Sequence, residues 1–414
     1  MKTVFTSTLL FACLFFLQAQ NPQKITIRSG GYDREYLLYL PSSYSSGKMS
    51  GLIVCLHGFN RTMEDFFNTY PIAPVADLLN LVVLAPQALP EQDPEVVNES
   101  KKLDTWGIKI PLDAAWGCGL RVKATLLGAT FLDEELNRGV DDVGFINRII
   151  SETMGEYAIN PANCFIFGTS MGGFMSYQYS MYYGTGLAGL ISVCGSMGTA
   201  IRNTGNTVNV PVCDFHSITD EVVPYGGTLN YDLGLLNASV SICRPKEEVI
   251  RFWVNKNLTT PDPKEENINY YPSTNNITVK KYTYSPLSGR SEVIHYRING
   301  ATHDYYLDKN KGDCMDYNEE VISFIRSHLK SPGTGLEPVI AGALVIAPNP
   351  VIDRCTVYKT KQTANGIRIY DMSGKLKGVY SSCEGNTEID FSKYPHGIYI
   401  LNYNGKMVKI IKFL

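Results

Sequence analysis

The sequence predicts an α/β architecture, a mostly parallel central sheet with crossover helices, followed by a small all-β sandwich. Three observations predict it. Between residue 24 and about residue 328, short β-branched and apolar runs alternate with stretches of helical periodicity. Several of the short runs are apolar at nearly every position, as strands covered on both faces require. After His328 the composition changes, through Lys330-Ser331-Pro332-Gly333-Thr334-Gly335, to alternating runs punctuated by turn residues.

The elements follow in order. Residues 25–27 and 35–40 read as an opening antiparallel pair, and 52–56, 81–85, 164–167, 190–194 and 210–215 as buried strands. Val143, Ile146, Ile149 and Ile150 share one face of a helix over 143–154. Residues 86–138 are too long for a simple connection and carry Trp106 and Trp116 among glycines and prolines. Insertions of that kind are usually functional loops or lids. Beyond the linker, 367–370 and 397–401 alternate, with turns at Ser373-Gly374 and Asn404-Gly405. The expected division is a leader over 1–20, an α/β unit over 21–329, a linker over 330–344 and a β-sandwich over 345–414.

The leader rests on Lys2, an apolar core ending near Leu17, and Ala19 before a cleavage point. This core is too short to span a bilayer, so no transmembrane segment is expected. Leu10-Phe11-Ala12-Cys13 only loosely resembles a lipobox, because Phe11 is bulky and apolar residues follow Cys13. A net charge of −3 without a basic patch argues against nucleic acid as a partner. Cleavage would remove Cys13, one of ten cysteines, and the odd number left requires at least one free thiol. Cys55, Cys164, Cys194 and Cys213 sit in apolar runs and read as small core residues. Cys355 and Cys383 could pair within the last domain. No CxxC pair or His/Cys cluster has zinc spacing, so no metal and no cofactor is expected.

Chemistry concentrates at Gly168-Thr169-Ser170-Met171-Gly172, a G-x-S-x-G elbow between a candidate strand and a candidate helix. A serine on such a turn sits at a helix N-terminus, where the Met171 N–H can face an oxyanion. Gly195-Ser196-Met197-Gly198 looks similar, but Cys194 replaces the leading glycine, so Ser196 is set aside. Leu56-His57-Gly58-Phe59 ends a buried strand, which places a second oxyanion donor at the Phe59 N–H and gives His57 a structural role. The base must be a histidine able to reach the serine. His303 lies in a loop after the last strand, whereas His295 lies inside an alternating strand. Asp220 follows the 210–215 strand and is the candidate to orient His303; Asp214, within the strand, is its competitor. The order Ser, Asp, His is that of the α/β-hydrolase fold.

Taken together, Leu56-His57-Gly58, Val140-Asp141-Asp142-Val143-Gly144-Phe145, Gly168 to Gly173, Phe215-His216, Thr219-Asp220, Val223-Pro224-Tyr225 and Gly300 to His303 resemble secreted polyhydroxybutyrate-depolymerase-like and feruloyl esterases. The resemblance covers residues 24–328. It implies hydrolysis of carboxylic esters through an acyl-enzyme on Ser170, with His303 as base and Asp220 as its partner. The chain departs from that family at Thr302-His303-Asp304-Tyr305-Tyr306, where Gly-His-Thr-Trp-Pro is common, and in the insertion from Trp106 to Cys118. The expected substrate is an ester of a polysaccharide or oligosaccharide, feruloyl or acetyl. Trp106, Trp116 and Tyr305 are the candidate contacts, and polyester, peptide or a non-catalytic binding role are the alternatives. The tail resembles the C-terminal sorting domain of the type IX secretion system through Pro348-Asn349-Pro350, Ile369 to Lys375, and Pro395 to Tyr399. That likeness implies export, an engagement with the secretion machinery, and a location outside the cell or on its surface.

Overall fold

The computed structural model describes residues 21–412 apart from 106–111, 127–128, 202–208, 233–236, 288–290, 331–345, 348–350, 352–353, 361–365 and 383–384. The leader, Trp106, Cys383 and most of the linker therefore lie outside the described residues. The chain runs β1 (Gln23–Ser29), β2 (Tyr32–Tyr39), β3 (Ser50–Leu56), α1 (Met63–Thr69), α2 (Ile72–Leu79), β4 (Leu81–Pro86), α3 (Pro94–Thr105), β5 (Arg121–Leu126), β6 (Ala129–Glu135), α4 (Asp142–Glu156), β7 (Ile159–Thr169) and α5 (Met171–Tyr183). It continues through β8 (Gly189–Val193), β9 (Val212–Ser217), β10 (Thr228–Asp232), β11 (Asn237–Ser241), α6 (Lys246–Lys256), β12 (Lys264–Ile268), β13 (Thr278–Tyr284), β14 (Val293–Asn299) and α7 (Tyr317–His328).

Ten strands form one sheet in the order β1-β2-β4-β3-β7-β8-β9-β14-β13-β12. Its centre, from β4 to β14, is parallel. Both margins are antiparallel. This is an α/β-hydrolase-like sheet. Every residue of β3, β4, β8 and β9 is buried, which explains the apolar runs of β3 and β4, although Asp214 and His216 interrupt that of β9. Alternate residues feed two cores: Leu52, Val54 and Leu56 pack on one face with Ile166 and Trp253. Ile53 and Cys55 pack on the other with Phe167 and Phe215.

The 86–138 stretch is more structured than the sequence suggested. It holds α3, β5 and β6, and the last two join β10 and β11 in an accessory antiparallel sheet ordered β10-β11-β5-β6. The register pairs Ala238 with Leu126, over a hundred positions earlier in the chain, so local pattern could not reveal it.

In the tail, β15 (Ile346–Ala347), β16 (Arg354–Thr360) and β19 (Gly385–Asp390) make one sheet. A second contains β17 (Ile367–Asp371), β18 (Leu376–Tyr380), β20 (Gly397–Tyr403) and β21 (Lys406–Lys412). Val357, Ile369, Ile389, Phe391 and Leu401 share a core between them. The eight described cysteines are all buried free thiols. Cys355 is one of them, and Cys383, with which it could pair, lies outside the described residues. Among the described residues no helix is long and apolar enough to cross a membrane.

Candidate functional site

Ser170 caps α5 directly after β7, with φ 52° and ψ −123°, a conformation that non-glycine residues avoid. The flanking glycines make this turn possible. A Cβ on Gly168 would lie 2.0 Å from the Gly172 carbonyl oxygen, and one on Gly172 would lie 2.0 Å from that of Leu56. Neither position has room for a side chain, and β3, β7 and α5 meet there backbone to backbone.

The loops after β9 and β14 deliver the other two groups, because those strands are parallel neighbours and end side by side. The two loops are stitched together. Ser217 Oγ and Thr219 Oγ1 both donate to the Ala301 carbonyl, at 2.7 and 2.9 Å, and the His303 N–H donates to Glu221 at 3.2 Å. His303 Nδ1 lies 2.8 Å from Asp220 Oδ2 and 3.0 Å from Oδ1, while its Nε2 lies 2.9 Å from Ser170 Oγ. Asp220 Oδ1 also accepts from the N–H groups of Val222 and Val223, at 2.9 and 2.8 Å. Burial opposes ionisation of Asp220, but the bond from His303, the charges of His303 and His216, and the Val223 N–H together hold its carboxyl below the usual range. An ionised Asp220 requires the His303 proton on Nδ1. Nε2 is then an acceptor aimed at the serine hydroxyl.

The two residues expected to supply oxyanion donors lie beside the serine. Phe59 and Met171 line the same cavity as Ser170. A Cβ on Gly58 would lie only 3.2 Å from that of Ser170, which measures how closely the Gly58-Phe59 turn approaches. His57 holds this turn. The Ala88 N–H donates to its Nε2 at 3.0 Å, so the proton sits on Nδ1, which faces the Gly58 carbonyl at 2.8 Å. Burial pushes His57 down to about 4, keeping it neutral.

Two cavities open at Ser170. One, of about 340 Å³, is lined on the His303 side by Arg61, Asp65, Tyr70, Cys194 and Asp304. The other, of about 170 Å³, lies on the Met171 side and is lined mostly by apolar residues of α3, α5 and the accessory sheet.

Two of the expected substrate contacts are corrected. Trp116 is wholly buried, donates its indole N–H to the His57 carbonyl at 2.9 Å, and packs against the His57 ring. The adjacent Gly117 N–H donates to the buried Asp142 at 2.7 Å, and Asp142 pairs with Arg34 at 2.5 Å. An aromatic residue in a glycine-rich stretch here props up the loop behind the site. Tyr305 packs against the core and donates to Asp313 at 3.1 Å, and it lines neither cavity. Trp106 lies outside the described residues. Ser196, set aside from sequence, donates to the Arg244 carbonyl at 3.0 Å.

Sequence reasoning missed a buried polar array beneath the site. Asp214 accepts from Tyr177 and Lys246 at 2.8 Å and faces His295 Nδ1 at 2.8 Å. Lys246 also donates to the Gly195 carbonyl, and His216 Nδ1 lies 2.9 Å from the same oxygen. His216 Nε2 is 3.5 Å from Asp220 Oδ2. The sequence signal was one acid and two histidines, Asp214, His216 and His295, in strands that are otherwise largely apolar.

Residues 345–414 match the family model described as a secretion system C-terminal sorting domain. The protein is therefore a secreted or cell-surface one. No curated protein matches the chain. Among solved structures it is similar to an acetyl xylan esterase from Aspergillus awamori, at 13% identity and a TM-score of 0.46, covering 74% of this chain and 100% of that one. It is also similar to an S-formylglutathione hydrolase from Agrobacterium tumefaciens, at 11% identity and a TM-score of 0.41, over 74% and 91% of the two chains. Esterase 2 from Thermogutta terrifontis follows at 11% identity and a TM-score of 0.42, over 75% and 94%.

Proposed function

We propose that this protein is a secreted serine hydrolase of carboxylic esters, with residues 21–329 as its catalytic unit. The observation that carries the reading is the continuous contact from Ser170 Oγ through His303 to Asp220, built on a strained serine. His303 Nε2 takes the hydroxyl proton as Ser170 Oγ attacks the ester carbonyl. The resulting oxyanion accepts from the Phe59 and Met171 N–H groups. His303 returns the proton to the departing alcohol, leaving an acyl-enzyme on Ser170. Water then repeats the cycle and releases the acid. Asp220 stays ionised, holds the imidazole in the required tautomer and stabilises its charged form.

The larger cavity offers Arg61, Asp65 and Asp304 at its polar rim, which suits a hydroxyl-rich alcohol such as a sugar. With export outside the cell, this supports feruloyl or acetyl groups on polysaccharide as the substrate class, in keeping with the feruloyl-esterase resemblance. Labelling with a fluorophosphonate tests the nucleophile: the native protein should react and Ser170→Ala should not. A Ser170→Ala protein that still labels would move the nucleophile elsewhere.

A further inference from the structure

Cys194 stands where β8 ends, beside the turn that carries Ser170. Its N–H donates to the Phe215 carbonyl of β9 at 2.8 Å, and the Val193 carbonyl before it accepts the Ser170 N–H at 2.8 Å. Its φ of 53° lies in the left-handed region, which glycine adopts freely and a residue with a Cβ avoids. A residue strained in this way persists only where its surroundings fix it, and such positions cluster at functional sites. The thiol is free and buried, and Cys194 lines the larger cavity together with Ser170 and His303.

This conformation sets the sulfur close to two other donors. Cys194 Sγ, a carboxylate oxygen of Asp220 and a ring nitrogen of His303 all lie within 4.8 Å of one another. Thiolate, carboxylate and imidazole are the ligand types of protein zinc sites. Tetrahedral zinc at its usual bond lengths holds its ligand atoms about 3.5 Å apart, so these three need to close by about 1 Å. Asp65 and Asp304 outnumber Arg61 on the wall of the cavity, which favours the entry of a cation. The three donors follow three different strands, so no spacing along the chain marks them.

We infer that Cys194, Asp220 and His303 form an inhibitory site for a borderline-soft divalent cation, zinc above all, which switches off the proposed ester hydrolysis. Coordination releases the thiol proton to solvent and sets two anionic ligands, Cys194 and Asp220, against the two charges of the ion. Either ring nitrogen of His303 serves. A metal on Nδ1 leaves the ring proton on Nε2, and a metal on Nε2 takes that lone pair itself. In both cases His303 can no longer accept the Ser170 proton. Magnesium and calcium, which prefer oxygen shells, should not replace zinc here. The site stands on its geometry, and only the inhibition rests on the ester-hydrolase reading above.

Two readouts test it. Turnover of p-nitrophenyl acetate by the EDTA-treated protein should fall on titration with zinc chloride, return on addition of EDTA, and be indifferent to magnesium chloride. Cys194→Ser and Cys194→Gly, each read against its own rate without metal, should need at least about tenfold more zinc for half-inhibition. Glycine also relieves the strained φ, so that variant guards against a folding defect. Cobalt(II) in place of zinc should give the native protein a thiolate-to-cobalt charge-transfer band that both variants lack. Native turnover unchanged at about 1 mM zinc chloride overturns the inference. So do variants as sensitive to zinc as the native protein, or a cobalt band that both variants keep, and in these cases ester turnover leaves the esterase reading standing. A protein inert toward the ester whose cobalt band depends on Cys194 keeps the metal site, and it removes the esterase reading and the inhibitory role together.

Discussion

Two buried Asp–His pairs stand along the neighbouring strands β9 and β14 and the loops that follow them, and only one of them reaches a serine hydroxyl. In each, Nδ1 sits 2.8 Å from a carboxylate oxygen, Asp214 with His295 and Asp220 with His303. Both carboxyls lie below their ordinary range. Burial opposes that in both; Lys246 and His295 outweigh it at Asp214, and His303 and His216 at Asp220. The difference is what the far nitrogen meets. His295 Nε2 faces Tyr225 at 2.9 Å inside the packed sheet, and His303 Nε2 faces Ser170 at the mouth of a cavity. An Asp–His pair is a generic solution for burying charge. It becomes catalytic equipment only where parallel strands end and loops can carry it to a nucleophile.

Exchanging the two histidines should invert their effects. His303→Gln should lower kcat/KM by about 10⁴-fold with little change in melting temperature. His295→Gln should leave turnover within a few-fold and cost about 1–3 kcal/mol of stability, read by urea unfolding. If His295→Gln proves the more damaging to turnover, the assignment of roles is reversed.

A smaller effect concerns His57 and His216. His57 and His216 are both pushed down to about 4, chiefly by burial. The unfolded chain binds protons at these positions near pH 6.5 and the folded chain does so only near pH 4. Stability should therefore be whole above about pH 6.5 and fall as the pH drops toward 4, by up to about 3 kcal/mol from His57. Urea unfolding at pH 7.5 and pH 4.5 measures the fall, and His57→Gln should make it shallower. A profile equally steep in the variant would assign the loss to other groups.

The smallest effect concerns the look-alike serine. Ser196→Ala removes a hydrogen bond to the Arg244 carbonyl and one shared with the Cys243 thiol, and should cost about 1 kcal/mol, with kcat/KM within twofold. A large fall in turnover would give Ser196 a part in the reaction.

The parallel sheet was legible because strands such as β3 and β4 are covered on both faces and must be apolar throughout. Ser170, Asp220 and His303 could be picked out because each stands just past the end of such a strand, where the pattern changes abruptly. Trp116 was misread because an aromatic ring among glycines looks the same whether it faces solvent or a buried backbone, and Tyr305 because a tyrosine in a polar loop gives no sign that Asp313 takes its hydroxyl. The accessory sheet was hidden because its strands find partners far away in sequence. The array around Asp214 was hidden for a related reason. Tyr177, Lys246 and His295 come from three different elements, and only the fold makes neighbours of them.

The accessory sheet also constrains how this chain can be shortened. Its inner pairing joins β11 to β5, so each half shields the edge of the other. Trimming one excursion alone would strip the partner from a strand and leave its N–H and C=O groups open to another molecule, a recipe for self-association. A minimal version of the protein would have to lose both excursions in one step, and with them the wall that gives the smaller cavity its shape.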